Sequence, residues 1–517
     1  MATTTATSSF DLRAVLVERW WPLGVAACSA GLAAFFLASL TRWPPHEDET
    51  LALFVGRDSL GGLLHTVQAE RGGAPLHFLI AWVVVHLGGG LTALRLASAV
   101  FAVASVPVLA ALSARLAGRQ VALVAAALAC ASWLMLFHGV FGRMYSLFLL
   151  TSALSYLALL VAVERGGRGR WALWALATLA AIASHPYGVL VLASQGVFVL
   201  ARARTKQAIW ALAIVTLTAT PFWLTDRVLA GRLDAGVGQG HRLPVLGYLA
   251  DAAGDASSGF LPVFVPVLAL AVFGCWRLRP SAALLTACVV VVPAVLLGLA
   301  HFGSAASPES RHLVFVLPFF STALASGLVA LLRRRVALVG ALVVLLAAEV
   351  GWAWHRTPAL FEGESTARIE ARQEASAWLA ATARRDDVLF GYDPLFLGAW
   401  ERDRGDFPAT VVPRADAKLA LSELRSARTL GRGVWVLDAG DNNNRPPRST
   451  IALRLPSSAF EGRVFGPYLV LRTRAPTQTP AHYLTFAASA MRLGQQLGIV
   501  DDDGNLHTIL IAEERLG

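Results

Sequence analysis

The stretch "TRWPPHEDET", Thr41–Thr50, follows the first long apolar run of the chain and sets three acids in a row, Glu47, Asp48 and Glu49, beside His46 and two prolines. The chain around it is built for an apolar solvent. It is 56% hydrophobic and only 15% charged, against roughly 25% charged in a soluble globular protein. Apolar runs near ~20 residues, the length that crosses a bilayer as a helix, recur from Trp21 to about Trp354. From His355 to Gly517 charges become frequent, and turn-rich stretches such as "DAGDNNNRPPRST" appear. This texture predicts a polytopic α-helical membrane domain over 1–354 and a soluble domain over 355–517.

Arg13 and Arg19 precede the first apolar stretch, which is longer than the ~7–15 residues of a signal-peptide core; it reads as a retained first span. The four cysteines, Cys28, Cys130, Cys275 and Cys288, all lie in or beside apolar runs. The tail therefore has neither a disulfide framework nor a zinc ribbon.

The net charge of +10 is distributed in a way that excludes nucleic acid. Basic residues cluster in short connectors: Arg115 and Arg119; Arg165, Arg168 and Arg170; Arg202, Arg204 and Lys206; Arg277 and Arg279; Arg333 to Arg335. These are the cytoplasmic loops that the positive-inside bias predicts. With the N-terminus also cytoplasmic, eleven spans follow at 21–41, 94–114, 120–138, 144–163, 171–185, 187–201, 207–225, 259–276, 281–301, 312–331 and 336–354. An odd number leaves the tail outside, together with loops 42–93, 139–143, the turn at His185, 226–258 and 302–311. "PLHFLIAWVVVHLGG", Pro75–Gly89, is too short for this ladder and reads as a helix lying at or dipping into the outer interface.

The central parts of these spans have essentially no Asp, Glu or Lys, which argues against the ion-coupling chemistry of a transporter. Polar residues gather instead at the outer ends: the acidic trio, His138 and Arg143, His185, His301, and Glu309 to His312. Acids and cations converging on one face suggest a base and an anion clamp. Tyr145, Tyr187, Trp43 and Trp82 equally suit interfacial anchoring. Read as extended chain, Glu47 and Glu49 point one way and Asp48 the other, so one register presents Asp48 alone.

The order "HEDET…GGAPLHFLIAWVVVHLG…ALRLASAVFAVASVPVLAALSARLAGR…GRMYSLFLL…SHPYGVLVL…SRHLVFVLP" resembles the GT-C superfamily of membrane glycosyltransferases. It is most similar to the branch of dolichyl-phosphate-mannose protein mannosyltransferases and bacterial lipid A glycosyltransferases. The resemblance covers about residues 21–330. It implies a GT-C fold and an inverting transfer of a sugar from a polyprenyl-phosphate donor to a glycan, lipid or protein acceptor of the cell envelope. The reaction would lie on the outer face of the cytoplasmic membrane, among membrane lipids. The family's acidic base falls on Asp48 and its partner acid on Glu49. Its donor-phosphate ligands fall on Arg143, His185 and Arg311, with His46, Glu47, Tyr145, Tyr187 and His312 as further substrate contacts. The resemblance requires no metal and admits a divalent cation, Mg or Mn. This sequence departs from the family pattern in "VFGR", which lacks an acid before Arg143, and in His312, where a tyrosine is usual. Glu47 adds a second candidate base.

In the tail, Thr366–Arg385 has the pattern of an amphipathic helix. "DDVLFGYDP", "GVWVLDAGD" and "GRVFGPYLVLRTRA" read as strands, with "ALSELRSA" as a helix between them, an α/β alternation. No phosphate-binding glycine loop follows a strand; the tail reads as an accessory domain at the mouth of the site. A lipid flippase or transporter, and a non-catalytic envelope-assembly scaffold, are the competing classes. The sequence leaves the sugar open between mannose, arabinose, galactosamine and glucose.

Overall fold

The computed structural model describes residues 12–70, 74–230, 245–301, 309–403, 408–414, 417–439, 459–497 and 503–516. Most of the turn-rich stretch at 438–450, residues 231–244 of the predicted loop at 226–258, most of the predicted loop at 302–311, and the side chain of His301 lie outside the described residues.

The membrane part is a bundle of helices: α1 (Leu12–Ser39), α2 (Glu47–Gly56), α3 (Leu60–Glu70), α4 (Pro75–His86), α5 (Leu91–Ala117), α6 (Arg119–Ala131), α7 (Trp133–Val140) and α8 (Tyr145–Arg165) come first. They are followed by α9 (Arg168–Ser184), α10 (Gly188–Arg202), α11 (Lys206–Ala230), α12 (Val245–Asp255), α13 (Leu261–Arg277), α14 (Pro280–His301), α15 (Leu317–Leu331) and α16 (Arg335–Arg356). A 3-10 segment, Ser310–Val316, leads into α15. Every predicted span falls on a helix or on a broken pair. Seven of them are long and apolar enough to cross a membrane, or eight if α6 and α7 count as one span. The other three, α9, α10 and α13, have 15 to 17 residues. At ~1.5 Å per residue they fall short of a ~30 Å hydrocarbon core.

Three local features shape the end of the bundle that carries the acids. Pro44 and Pro45 separate α1 from α2, and α2 begins with three acids in its first turn, where the helix dipole favours negative charge. The extended reading of 47–49 is thus corrected: these residues are helical. Pro75–His86 is a helix of 12 residues packed against α2. A Cβ on Gly56 would stand 2.9 Å from the Ala81 backbone, so this close approach of α2 to α4 needs glycine. Ser132 breaks the α6–α7 run: it caps α7 by accepting from Met135 N, and the two helices bend by 56°. The bend carries His138 and the turn at 141–143 inward, where all are buried.

The span interiors are not wholly bare. Glu349 of α16 is 1% exposed, and neither carboxylate oxygen has a hydrogen-bond partner among the described residues.

In the tail a five-stranded sheet has the order β2-β1-β3-β5-β4, with β1 (Val388–Phe390), β2 (Thr410–Val412), β3 (Gly433–Asp438), β4 (Phe460–Phe465) and β5 (Tyr468–Thr473). β1 pairs parallel with β2 and β3, while β5 pairs antiparallel with β3 and β4. Side chains alternate along β3 as a strand requires. Trp435 and Leu437 join one core with Tyr483 and Met491, from the helix Pro480–Gln496. Val434 and Val436 join another with Leu379 and Phe396, from the helices Thr366–Thr382 and Pro394–Arg402. Both faces of the sheet are covered at β1, β3 and β5, which is why these strands read as mostly apolar runs, while the edge strand β4 is partly exposed. Phe54 of α2 belongs to that second core, and Leu397 of the tail packs among the residues of α2 to α4.

Candidate active site

His46 sets the geometry of the acidic turn. Its Nδ1 accepts from Asp48 N at 3.1 Å, and Glu49 Oε2 accepts from His46 N at 3.1 Å, a reciprocal cap that fixes the start of α2. Successive helical residues are rotated by about 100°, so the three acids leave in three directions.

Glu47 turns to the tail. Its Oε1 accepts from Tyr392 N at 3.0 Å, and its Oε2 lies 3.6 Å from Arg414 Nη1. The Thr50 hydroxyl meets the Tyr392 carbonyl, and Arg57 Nη2 donates to Pro408 O at 3.1 Å.

Glu49 turns into the bundle and is fully buried. Arg95 grips it with two bonds, Nε to Oε1 at 2.8 Å and Nη2 to Oε2 at 2.6 Å, while Gly142 N donates to Oε1 at 2.7 Å. The same guanidinium donates to the carbonyls of Leu40, Trp43 and Pro44. One ion pair thus ties together the end of α1, the proline segment, α2, α5 and the turn before Arg143.

Asp48 turns to a cleft, with 30% of its side chain open. Its Oδ2 lies 3.9 Å from Arg143 Nε and 3.7 Å from Arg311 Nη1, too far for hydrogen bonds. Arg143 is held through its Nη1, which donates to Asp48 O at 3.1 Å. Arg311 is held by Glu309 Oε1 at 2.7 Å and lies 5.5 Å over the Tyr145 ring. The Nε of each arginine is buried without a hydrogen-bond partner among the described residues. Desolvation works to raise the Asp48 pKa, but Arg143, His46, Arg311 and His312 outweigh it and hold it at about 2.

The aromatic side of the cleft is built from His185, Tyr187, His312 and Tyr145. The His185 and His312 rings are 5.3 Å apart, with Tyr187 5.4 Å and 5.0 Å from them. His185 Nδ1 accepts from Tyr187 N at 3.0 Å, and His312 Nδ1 accepts from Glu309 N at 3.0 Å. In the neutral form both rings therefore carry their proton on Nε2, as a donor toward an anion.

All ten sequence-predicted residues thus belong to one neighbourhood, with Glu47 and Glu49 facing away from the cleft as structural ties. Three residues join them that sequence reasoning left without a role. Arg95 is the partner of Glu49. His138 has its ring 4.7 Å from Tyr145 and neither ring nitrogen hydrogen-bonded among the described residues. His77 of α4 is buried with Nε2 unpartnered among the described residues, and burial, then Arg143, push its pKa down to about 3. Arg95 stood in the quoted "ALRLASAV", and His77 in the apolar run 75–89; nothing local to either marks it out as part of this neighbourhood. The donor set does not fit a divalent cation. Glu49 is saturated, Glu47 faces the tail, and Asp48 faces two guanidinium groups; among the described residues no three metal-ligating side chains converge.

No protein-family model matches the sequence, and no curated protein is significantly similar to it. Solved structures are similar. The crystal structure of ArnT from Cupriavidus metallidurans in the apo state matches with a TM-score of 0.55 and 16% identity, over 88% of this chain and 98% of that one. The same protein bound to undecaprenyl phosphate matches with a TM-score of 0.57 and 13% identity, over the same shares. The cryo-EM structure of the arabinofuranosyltransferase AftD from Mycobacteria matches with a TM-score of 0.53 and 15% identity, over 88% of this chain and 40% of that chain. At such identities the likeness is one of fold.

Proposed function

We propose that this chain, which has the GT-C fold of these membrane glycosyltransferases, transfers a sugar from a polyprenyl-phosphate donor to a glycan, lipid or protein acceptor of the cell envelope. In this reading the chain sits in the cytoplasmic membrane with its arginine-rich connectors inside. The α2 end and the domain over 355–517 face outward. The observation that carries the proposal is the Asp48 carboxylate standing 3.7 and 3.9 Å from two arginines, each with a buried Nε that has no hydrogen-bond partner among the described residues. It is a base beside an anion clamp with donors to spare.

The acceptor hydroxyl attacks C1 of the sugar and gives its proton to Asp48 as the new bond forms. The bond from C1 to the phosphate oxygen breaks, and its electron pair leaves on the lipid phosphate. Arg143 and Arg311 suit that charge, because a guanidinium can bond two phosphate oxygens at once. The Nε2 protons of His185 and His312 add neutral donors. Attack opposite the leaving group inverts the anomeric centre. The cations that hold Asp48 near 2 are the ones a phosphate neutralises. Donor binding therefore strengthens the base at the moment it is needed. Glu49, through Arg95, positions the turn that bears Asp48. The acceptor reaches the cleft beside the tail, in keeping with an accessory role for that domain.

The experiment is a transfer assay with radiolabelled polyprenyl-phosphate sugars on the purified chain and its Asp48→Asn variant. Turnover by the wild type with a loss of ~10²–10⁴-fold in the variant, and unchanged donor binding, is the expected result. Full turnover by Asp48→Asn removes the base assignment. Absence of turnover with every donor, with phospholipid moved across vesicles instead, favours the flippase class.

A further inference from the structure

Arg95 and Arg115 are both on α5, one near each end, so about 30 Å of helix separates the Asp48 cleft from the arginine-rich end. There the α5–α6 turn and the α13–α14 turn enclose a cavity of about 240 Å³. Three arginines line it, Arg115, Arg277 and Arg279, and no acidic side chain does. Arg115 is paired with Glu164 at 2.5 Å. Arg277 and Arg279 have no ion pair or side-chain hydrogen bond among the described residues. Two positive charges are left uncompensated at the wall.

The backbone adds to them. Gly118, which precedes α6, lines the cavity and offers no side-chain cap. Arg279 also lines it; its carbonyl starts α14 by accepting from Ala283 N at 2.8 Å, and its side chain has no acceptor with which to cap. Two helices thus begin at the cavity with uncapped first turns, where free amides and the macrodipole favour an anion. Ser326 of α15 contributes a hydroxyl. The walls are fixed by a close crossing of α13 and α15, where a Cβ on Gly274 would stand 1.8 Å from Ala323 O. Such a site is formed before its ligand arrives.

We propose that this cavity is a phosphate-binding site, the phosphate being carried on a phospholipid headgroup or free in solution. Basic pockets between membrane helices take anionic headgroups. The site is separate from the transfer chemistry and shares no residue with it.

The test uses the full chain in a non-ionic detergent, titrated with phosphatidylglycerol, with phosphatidylcholine and with inorganic phosphate, binding being read by native mass spectrometry and thermal shift. The comparison variant is Arg277→Gln with Arg279→Gln; both side chains are exposed and unpartnered, so folding is retained. Phosphatidylglycerol should bind more tightly than phosphatidylcholine. The variant should weaken it about thirty-fold, which at 1.4 kcal/mol per decade is ~2 kcal/mol. Binding of inorganic phosphate with the same loss also supports the site and identifies its ligand as soluble. Equal binding by variant and wild type overturns the proposal. So does an equal loss in Arg333→Gln with Arg334→Gln, a basic pair outside the cavity, because the effect is then one of overall charge.

Discussion

Glu49 and Asp48 are neighbours in the chain and opposites in their surroundings. Glu49 is fully buried, accepts four hydrogen bonds, and faces an arginine at 2.6 Å. Asp48 is partly open and has arginines at 3.7 and 3.9 Å. The first carboxylate has nothing left to offer a substrate. The second is charged, oriented and unsatisfied. A cluster of acids need not share one task, and the hydrogen-bond inventory of each decides which can do chemistry.

The sharpest way to break this contrast is Arg95→Ala, which strands a buried carboxylate. Removing one partner of a buried pair costs ~3–5 kcal/mol, so the variant should lose that much stability by detergent-resistant thermal unfolding and lose activity with it. Asp48→Asn should leave unfolding nearly unchanged. If Arg95→Ala melts like the wild type, the tie through Glu49 is not what holds this end together.

Next in size are the arginines of the cleft. Arg143→Ala and Arg311→Ala each remove charge-assisted bonds of ~1.5–3 kcal/mol, a loss of roughly 10–150-fold in donor affinity by equilibrium binding. Arg311→Ala should have the purer effect on the donor, because Arg143 also braces the Asp48 carbonyl. Unchanged affinity in both would empty the clamp of meaning.

The pH dependence sharpens the contrast further. The folded Asp48 pKa of about 2 lies below its ordinary 3.8. The unfolded chain therefore binds more protons between these values, and stability from Asp48 is full above about 4 and lost as pH falls toward 2. Acid unfolding of Asp48→Asn should lack this component, seen as a shallower fall in melting temperature between pH 4 and 2. Parallel curves would mean that the cations do not act on Asp48.

The smallest effect belongs to Glu47→Gln. Its ion pair with Arg414 spans 3.6 Å at a half-exposed site, and such pairs give ~0.2–1 kcal/mol. The amide oxygen can still accept from Tyr392 N. Transfer activity should stay within a few-fold of wild type; a dead Glu47→Gln would move the base by one residue.

Much of this architecture was legible. The apolar runs between the arginine clusters located a helix or a broken pair at all eleven places, because most of these runs have the length and polarity of a membrane-crossing helix. Strands β1, β3 and β5 were legible because their residues are mostly apolar and buried on both faces; β2, three residues long, carries too short a pattern to be seen. The break at Ser132 was not, since "LACASWLMLFHG" contains no proline and its polarity never changes; a serine cap within an apolar run decides it. The helical state of 47–49 was missed because a histidine closes the cap where serine or threonine is usual. The candidate residues Asp48, Arg143, His185 and Arg311 came from the order of short motifs. Arg95 acts through a partner far away in sequence, which no local pattern encodes. Glu349 shows the converse: a single acid in a long apolar run is easy to see and hard to interpret.

The acid helix α2 is fastened on two sides, by Glu49 to the bundle and by Glu47, Thr50, Phe54 and Arg57 to the tail. The loop over 42–93 is therefore a joint rather than an appendage. For anyone recombining chains of this fold, the exchangeable module is not the tail from 355 onward but the tail together with this loop. A graft that separates them leaves two half-interfaces, each cut to fit a counterpart it no longer meets.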